Sequence, residues 1–282
     1  MFKSPKGQAL YLAAYNATLS LWPLPVESFD LPTRFGTTHV NACGPAGAPP
    51  VLLLHAVAMS STMWYPNVAN LSRSYRLYAL DTIGDAGKSI CKRSLRTASD
   101  FVDWLNEVYT ALGLETAHIV GMSYGGFLAL NLALSTPERV TKLVLLAPAG
   151  SLLPFRIQFY LLTAAFFLPL RAVKLAVLRR EFAMPIVDGA PVVEQLLMGT
   201  HFRGDLHVFP RVFTDRELRH VKVPTLILLG EHEVIYDPRT ALNRAAALIP
   251  NVETALVPGA RHGLTLDQPQ VVNARLTAFL GG

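Results

Sequence analysis

From residue 34 onward the chain alternates short, unbroken apolar runs with longer stretches whose apolar residues recur every three or four positions. The runs Pro50–His55, Tyr75–Asp81, Thr116–Gly121, Val140–Ala147, Val223–Gly230 and Glu253–Val257 have the length and continuity of strands buried on both faces. Arg34–Cys43, with a glycine and β-branched residues, predicts an antiparallel edge strand paired with the stretch before it. Ser99–Leu112 and Gly125–Ser135 read as helices between the strands. Repeated β–α alternation of this kind predicts an α/β chain: a doubly wound, mostly parallel sheet with helices on both faces.

Two segments depart from the alternation. In residues 1–25, Leu12, Tyr15, Leu19 and Trp22 fit one face of an amphipathic helix ended by Pro23. Gln8, Asn16 and Thr18 interrupt its apolar stretch and no small-x-small site follows, which argues against a signal peptide. The second is Ser151–His220, whose 70 residues between two sheet strands far exceed a crossover helix. It predicts a helical cap inserted into a core made of residues 1–150 and 221–282. Phe155, Phe159, Leu162, Phe166 and Phe167 recur there at spacings of four, three, four and one, predicting a single apolar stripe along one helix. The apolar run 159–170 is too short to span a bilayer, so no stable membrane insertion is expected.

Composition narrows the classes. Hydrophobic residues at 51% and charged ones at 16% supply a large core and exclude a disordered chain. The net charge of +5 is mildly basic. No dense Lys/Arg run with interleaved aromatics is present, so no nucleic-acid partner is expected. Cys43 and Cys91 form neither a metal-ligand spacing nor a disulfide framework, which fits free thiols in a cytoplasmic protein.

The chemistry concentrates in Gly121-Met122-Ser123-Tyr124-Gly125-Gly126, placed between a predicted strand and a predicted helix. A G-x-S-x-G turn of that kind is sharp enough to strain the serine backbone, lift its Oγ above the sheet edge and aim backbone N–H groups at a reacting oxygen. Such a serine needs a base held by an acid, in the chain order Ser, acid, His. His262, in the loop Pro258-Gly-Ala-Arg-His262-Gly263 after the last strand, is the candidate base. His55 reads as structural, His118 as a strand residue, and His39, His201, His207 and His220 as surface or cap residues. For the acid, the loop Glu231-His232-Glu233-Val234-Ile235-Tyr236-Asp237-Pro238 offers Glu233 at its apex and Asp237 at a helix start. Glu233 is the preferred of the two, since Asp237 before proline suits an N-cap. The oxyanion donors are expected at the backbone N–H of Tyr124 and of Val57, in the loop after the strand ending at His55.

Together the His55 loop, the Ser60–Trp64 stretch, the Ser123 turn, the Gly230–Pro238 loop and the Arg261-His262-Gly263 loop resemble the α/β-hydrolase superfamily, and within it bacterial carboxylesterases with a helical cap. The resemblance covers nearly everything from residue 34. It implies Ser123, Glu233 and His262 as catalytic triad, with no metal and no cofactor, acting on a small-molecule ester through an acyl-enzyme. Phe155, Phe159, Leu162 and Phe166 are then the expected substrate-binding residues, favouring short, apolar acyl groups. The chain departs from the usual pattern at His55-Ala56, where glycine commonly follows histidine, and at Asp81–Ser89, which is one residue longer than usual. Other serine-triad reactions on the same scaffold (lactone opening, C–C bond hydrolysis, cofactor-free perhydrolysis) are the alternative, and a non-catalytic binding protein is a third reading that an ordered triad argues against. The oligomeric state is not legible.

Overall fold

The six apolar runs form the parallel part of a nine-stranded sheet. Its strands are β1 (Glu27–Thr33), β2 (Gly36–Cys43), β3 (Pro50–Leu54), β4 (Arg76–Leu80), β5 (Ile90–Cys91), β6 (Ala117–Met122), β7 (Val140–Leu146), β8 (Thr225–Gly230) and β9 (Val252–Val257). Their order across the sheet is β1-β2-β4-β3-β6-β7-β8-β9, with β5 paired to β2 off that path. Pairs from β4 through β9 are parallel, whereas β2 runs antiparallel to β1, β4 and β5. The expected doubly wound sheet with an antiparallel edge is what the chain adopts. The computed structural model describes residues 2–204 and 206–282; Met1 and Asp205, within the ranges expected for the first helix and the insertion, lie outside the described residues.

The helices are α1 (Pro5–Leu19), α2 (Val68–Leu71), α3 (Ala98–Ala111), α4 (Tyr124–Ser135), α5 (Ile157–Phe166), α6 (Arg171–Glu181), α7 (Pro191–Gly199), α8 (Asp215–Arg219), α9 (Pro238–Leu248), α10 (Leu264–Asp267) and α11 (Pro269–Gly281). Strand β8 is buried along its whole length, and so is β3 after its first residue, because helices cover both faces. Helix α3 starts on a capping box in which Thr97 and Asp100 exchange side-chain and backbone bonds.

Helix α1 ends at Leu19, before Pro23, and buries Gly7, Tyr11, Ala14, Tyr15 and Thr18; Leu12 and Leu19 are only half-buried. The face is set by polar partners as well as by apolar area. Tyr15 Oη lies 3.1 Å from Ser61 Oγ and accepts from Asn41 Nδ2 at 2.7 Å. His39 likewise departs from the expected surface position: it is buried in β2, with Nδ1 2.7 Å from Asp30 Oδ1.

Helices α5 to α8 all lie between β7 and β8 in the chain. None of α5 is fully buried. Phe155, Phe159 and Phe166 are half-buried against the core and Leu162 is half-buried beside them, but Phe167 is 60% exposed, because a one-residue step turns it off the stripe. The outer side of α5 and the turn after it shows Ile157, Tyr160, Leu161, Leu168 and Leu170 to solvent. Helix α7 packs against α1, and its buried Gln195 ties the insertion to the core. Gln195 Nε2 donates to Ser60 Oγ at 2.7 Å and Oε1 accepts from Thr62 Oγ1 at 2.8 Å.

Truncating that amide removes both bonds and leaves the buried Ser60 and Thr62 hydroxyls to each other and the Thr62 N–H as partners. Gln195→Ala is expected to lower stability by about 1–3 kcal/mol. A urea unfolding curve checks it, and an unchanged midpoint contradicts the role given to Gln195.

Candidate active site

Ser123 sits between β6 and α4 with φ 50° and ψ −111°, a left-handed backbone that a serine adopts only when its surroundings enforce it. Two glycines make the turn possible. A Cβ on Gly121 would lie 2.3 Å from the Gly125 carbonyl oxygen, and one on Gly125 would lie 2.2 Å from the Leu54 oxygen. The turn is held in place by Ser123 N–H donating to Leu146 O at 2.8 Å and by Gly125 N–H donating to His55 O at 3.2 Å.

The loops after β8 and β9 bring an acid and a histidine to this serine. His262 Nε2 is 2.9 Å from Ser123 Oγ, and its Nδ1 lies 3.1 Å and 3.0 Å from the two oxygens of Glu233. A carboxylate can only accept, so Nδ1 carries the proton and Nε2 presents its lone pair to the serine hydroxyl. The Glu233 side chain is fully buried and its Oε1 also accepts from the N–H groups of Val234 (2.7 Å) and Ile235 (3.1 Å). The approach of the two loops is close: a Cβ on Gly230 would lie 2.2 Å from the Arg261 carbonyl oxygen. Burial pulls the His262 pKa down, but the charge and hydrogen bond of Glu233, with the charges of Glu181 and Asp267 behind, outweigh it and hold the imidazole above its ordinary 6.5.

Asp237, the other acid considered, caps α9 through Thr240 N–H at 2.8 Å and pairs with Arg156 at 3.3 Å, away from the histidine. The N–H groups of Val57 and Tyr124 meet no protein acceptor among the described residues, so both are free to donate. Of the stripe residues, Leu162 lines the cavity beside Glu233. Phe155 and Phe159 instead stack on each other at 4.2 Å, and Phe166 packs on the core. His55 uses both ring nitrogens on backbone: Nδ1 donates to Ala56 O, and Nε2 accepts from Thr82 N–H, both at 2.8 Å.

Three acids that shape the site have no motif in the sequence. Asp85, in the lengthened loop after β4, accepts from Ala58 N–H (3.0 Å to Oδ2) and Ala86 N–H (2.7 Å), and burial pushes its carboxyl up to about 6. It thereby fixes Ala58, which has φ 61°, directly after Val57. Asp267 latches the histidine loop to the insertion: Oδ2 accepts from Arg261 N–H at 2.9 Å, while Oδ1 accepts from Ala183 and Met184 N–H at 2.9 and 3.0 Å. Arg261 completes the latch by donating from Nη1 to the carbonyls of Arg179 and Phe182. Glu181, at the end of α6, is held above the usual carboxylate range by burial, and its charge couples to His262. The loop length after β4 was the one sequence signal for any of these.

Comparison with known proteins gives concordant results. The model of the alpha/beta hydrolase fold family matches residues 49–171. A Bacillus subtilis protein named as an uncharacterized carboxylesterase, nap, is 44% identical over 95% of this chain and 91% of its own. The carboxylesterase YbfK of the same organism is 39% identical over 100% of this chain and 97% of its own. The crystal structure of YbfK superposes with a TM-score of 0.93, covering 98% of this chain and 99% of that one. That of a B. subtilis naproxen esterase superposes with 0.94 at 41% identity, covering 99% of each chain.

The acids around His262 make a test of the electrostatics. The imidazole should be neutral at high pH and gain its proton as pH falls through a midpoint above 6.5. Glu181→Gln removes one negative charge and should move that midpoint to lower pH. Titration of the His262 ring followed by NMR reads both, and an unmoved midpoint removes Glu181 from the account.

Proposed function

The chain belongs to the α/β-hydrolase family, and on that footing we propose that it is a carboxylesterase with Ser123 as nucleophile, His262 as base and Glu233 as the acid that orients the imidazole. The observation that carries the reading is the relay itself, with one ring nitrogen 2.9 Å from Ser123 Oγ and the other within 3.1 Å of both Glu233 oxygens. Ser123 Oγ attacks the ester carbonyl while its proton passes to His262 Nε2. The carbonyl oxygen becomes an oxyanion between the N–H groups of Val57 and Tyr124. Nε2 then returns the proton to the departing alkoxide, leaving an acyl-serine. Water, deprotonated by the same nitrogen, cleaves that acyl group as a carboxylic acid and restores the serine. Glu233 stays ionised and steadies the imidazolium at each transfer.

Ester cleavage is preferred to lactone opening or C–C hydrolysis because two relatives, at 44% and 39% identity, are named carboxylesterases. In the same reading residues 151–220 form the cap that selects the substrate, each methylene buried against its apolar side chains contributing about 0.8 kcal/mol. No helix among the described residues is long and apolar enough to cross a membrane. We assign the enzyme to the cytoplasm on a cysteine content, Cys43 and Cys91, too small for a disulfide framework.

Ser123→Ala should lower ester turnover by roughly four or more orders of magnitude. A fluorophosphonate probe should add its mass to the peptide containing Ser123, and undiminished labelling of the alanine variant would refute the assignment. The acid is tested separately. Glu233→Gln should cripple turnover because the imidazolium loses its counter-charge. Asp237→Asn should cost little, since asparagine also caps a helix and an exposed ion pair contributes about 0–1 kcal/mol. The reverse ranking, in two variants that fold normally, would transfer the role to Asp237.

A further inference from the structure

The loop after β3 bends at Ala56–Met59, a four-residue turn closed by Met59 N–H donating to Ala56 O at 3.1 Å. Ala58, third in the turn, has φ 61°, while Val57 before it keeps a negative φ. That combination is a type II turn, whose third position is ordinarily glycine because a Cβ there crowds the preceding carbonyl. This chain puts alanine in the glycine slot and holds it there against strain.

Two pins hold the turn. At its start, Ala56 O accepts from the His55 ring at 2.8 Å as well as from Met59 N–H. In a trans peptide the N–H points opposite to the carbonyl, so Val57 N–H is aimed away from both of those donors. At the tip, both carboxylate oxygens of Asp85 lie within 3.2 Å of Ala58 N, and Oδ1 also accepts from Ala86 N–H at 2.7 Å. Val57 is the residue between the pins.

Asp85 is buried, and among the described residues its side chain pairs with no Lys or Arg; backbone N–H groups are what it binds. An acid buried on such terms is costly to fold around. What it supplies is an acceptor for Ala58. Without one, the peptide between Val57 and Ala58 can turn over into a type I turn, in which Ala58 takes an ordinary negative φ and the strain is released. The reversed peptide would present Val57 O, not Ala58 N–H, to the carboxylate. An ionised Asp85 therefore attracts the one form and repels the other.

We propose that Asp85 is a positioning residue for acyl transfer, holding the Ala56–Met59 turn so that Val57 N–H meets the oxyanion. The inference rests on the esterase reading above and deepens it. Asp85 works through the backbone, and its side chain makes no hydrogen bond to Ser123, His262 or Glu233.

The experiment measures steady-state hydrolysis of p-nitrophenyl butyrate and inhibition by an alkyl trifluoromethyl ketone, which forms a tetrahedral oxyanion on a nucleophilic serine. Asp85→Ala should lower kcat by about ten- to a hundredfold, somewhat less than outright loss of an oxyanion donor, and weaken the ketone by a similar factor. KM should stay within about twofold, since the contact is made in the transition state. Asp85→Asn keeps an acceptor oxygen and should recover most of the rate. Adding Ala58→Gly to Asp85→Ala should also recover it, because glycine takes φ 61° without strain. A merely structural Asp85 predicts a less stable alanine variant with normal kcat per folded molecule, and that result overturns the proposal. So does a fall in kcat that neither asparagine nor glycine restores. Should Asp85→Ala not fold, Asp85→Ser, too short to reach Ala58 N–H, takes its place with the same expectations. If the wild-type protein hydrolyses no ester, the esterase reading falls, and the crystal structure of the Asp85 variant decides the turn by itself. A negative φ at Ala58 upholds its control by Asp85, and an unchanged φ near 61° removes it.

Discussion

The backbone at Gly125 presses against the Leu54 carbonyl so closely that a single added carbon would lie 2.2 Å from its oxygen. Everything chemical in the molecule depends on that approach. It pulls the β6–α4 turn onto the end of β3 and keeps Ser123 at φ 50°. It also sets the turn beside the loop that contains Val57, through the bond from Gly125 N–H to His55 O. A strained residue costs about 1–3 kcal/mol, and the buried parallel strands on either side supply the packing that offsets it. Ser123 is thus positioned by the buried parallel strands, and Glu233 and His262 are brought to it by loops.

Those loops carry different loads. The Glu233 loop is fixed from within, by its own Val234 and Ile235 N–H groups on the carboxylate and by the end of β8 against Arg261. The His262 loop is fixed from outside, by Asp267 and Arg261 gripping the last turn of α6 and the residues after it. The segment between β7 and β8 therefore helps hold the imidazole loop in place. Glu181 arrives at the histidine by the same route, carried on the helix that the latch holds.

Much of this was legible in the sequence. Apolar runs gave the strands because strands buried on both faces need no alternation, and the Gly-x-Ser-x-Gly turn between a strand and a helix pointed to Ser123. Chain order and loop position narrowed the base to His262, and Asp237 before a proline suited a helix cap, which is where it sits. What stayed hidden depends on contacts between distant segments. Asp267 and Glu181 look like ordinary surface acids until the chain folds α6 against the histidine loop. The expected face of the first helix caught Tyr15 and Trp22 but missed Tyr11, which turns inward toward Gln195 and Ser60, polar partners that hydrophobic spacing does not register. His39 was placed at the surface for the same reason: its 2.7 Å hydrogen bond with Asp30 joins β2 to β1.

The latch has one more property. Every group that Asp267 and Arg261 grasp on the cap is main chain: the N–H groups of Ala183 and Met184 and the carbonyls of Arg179 and Phe182. A grip on backbone is indifferent to which side chains the helix carries. Residues of α5 and α6 facing the cavity are then free to diverge without loosening the histidine, as long as the helix ends in the same turn. The joint itself therefore tolerates change in most side chains of α5 and α6, with Glu181 the exception, since its charge reaches His262.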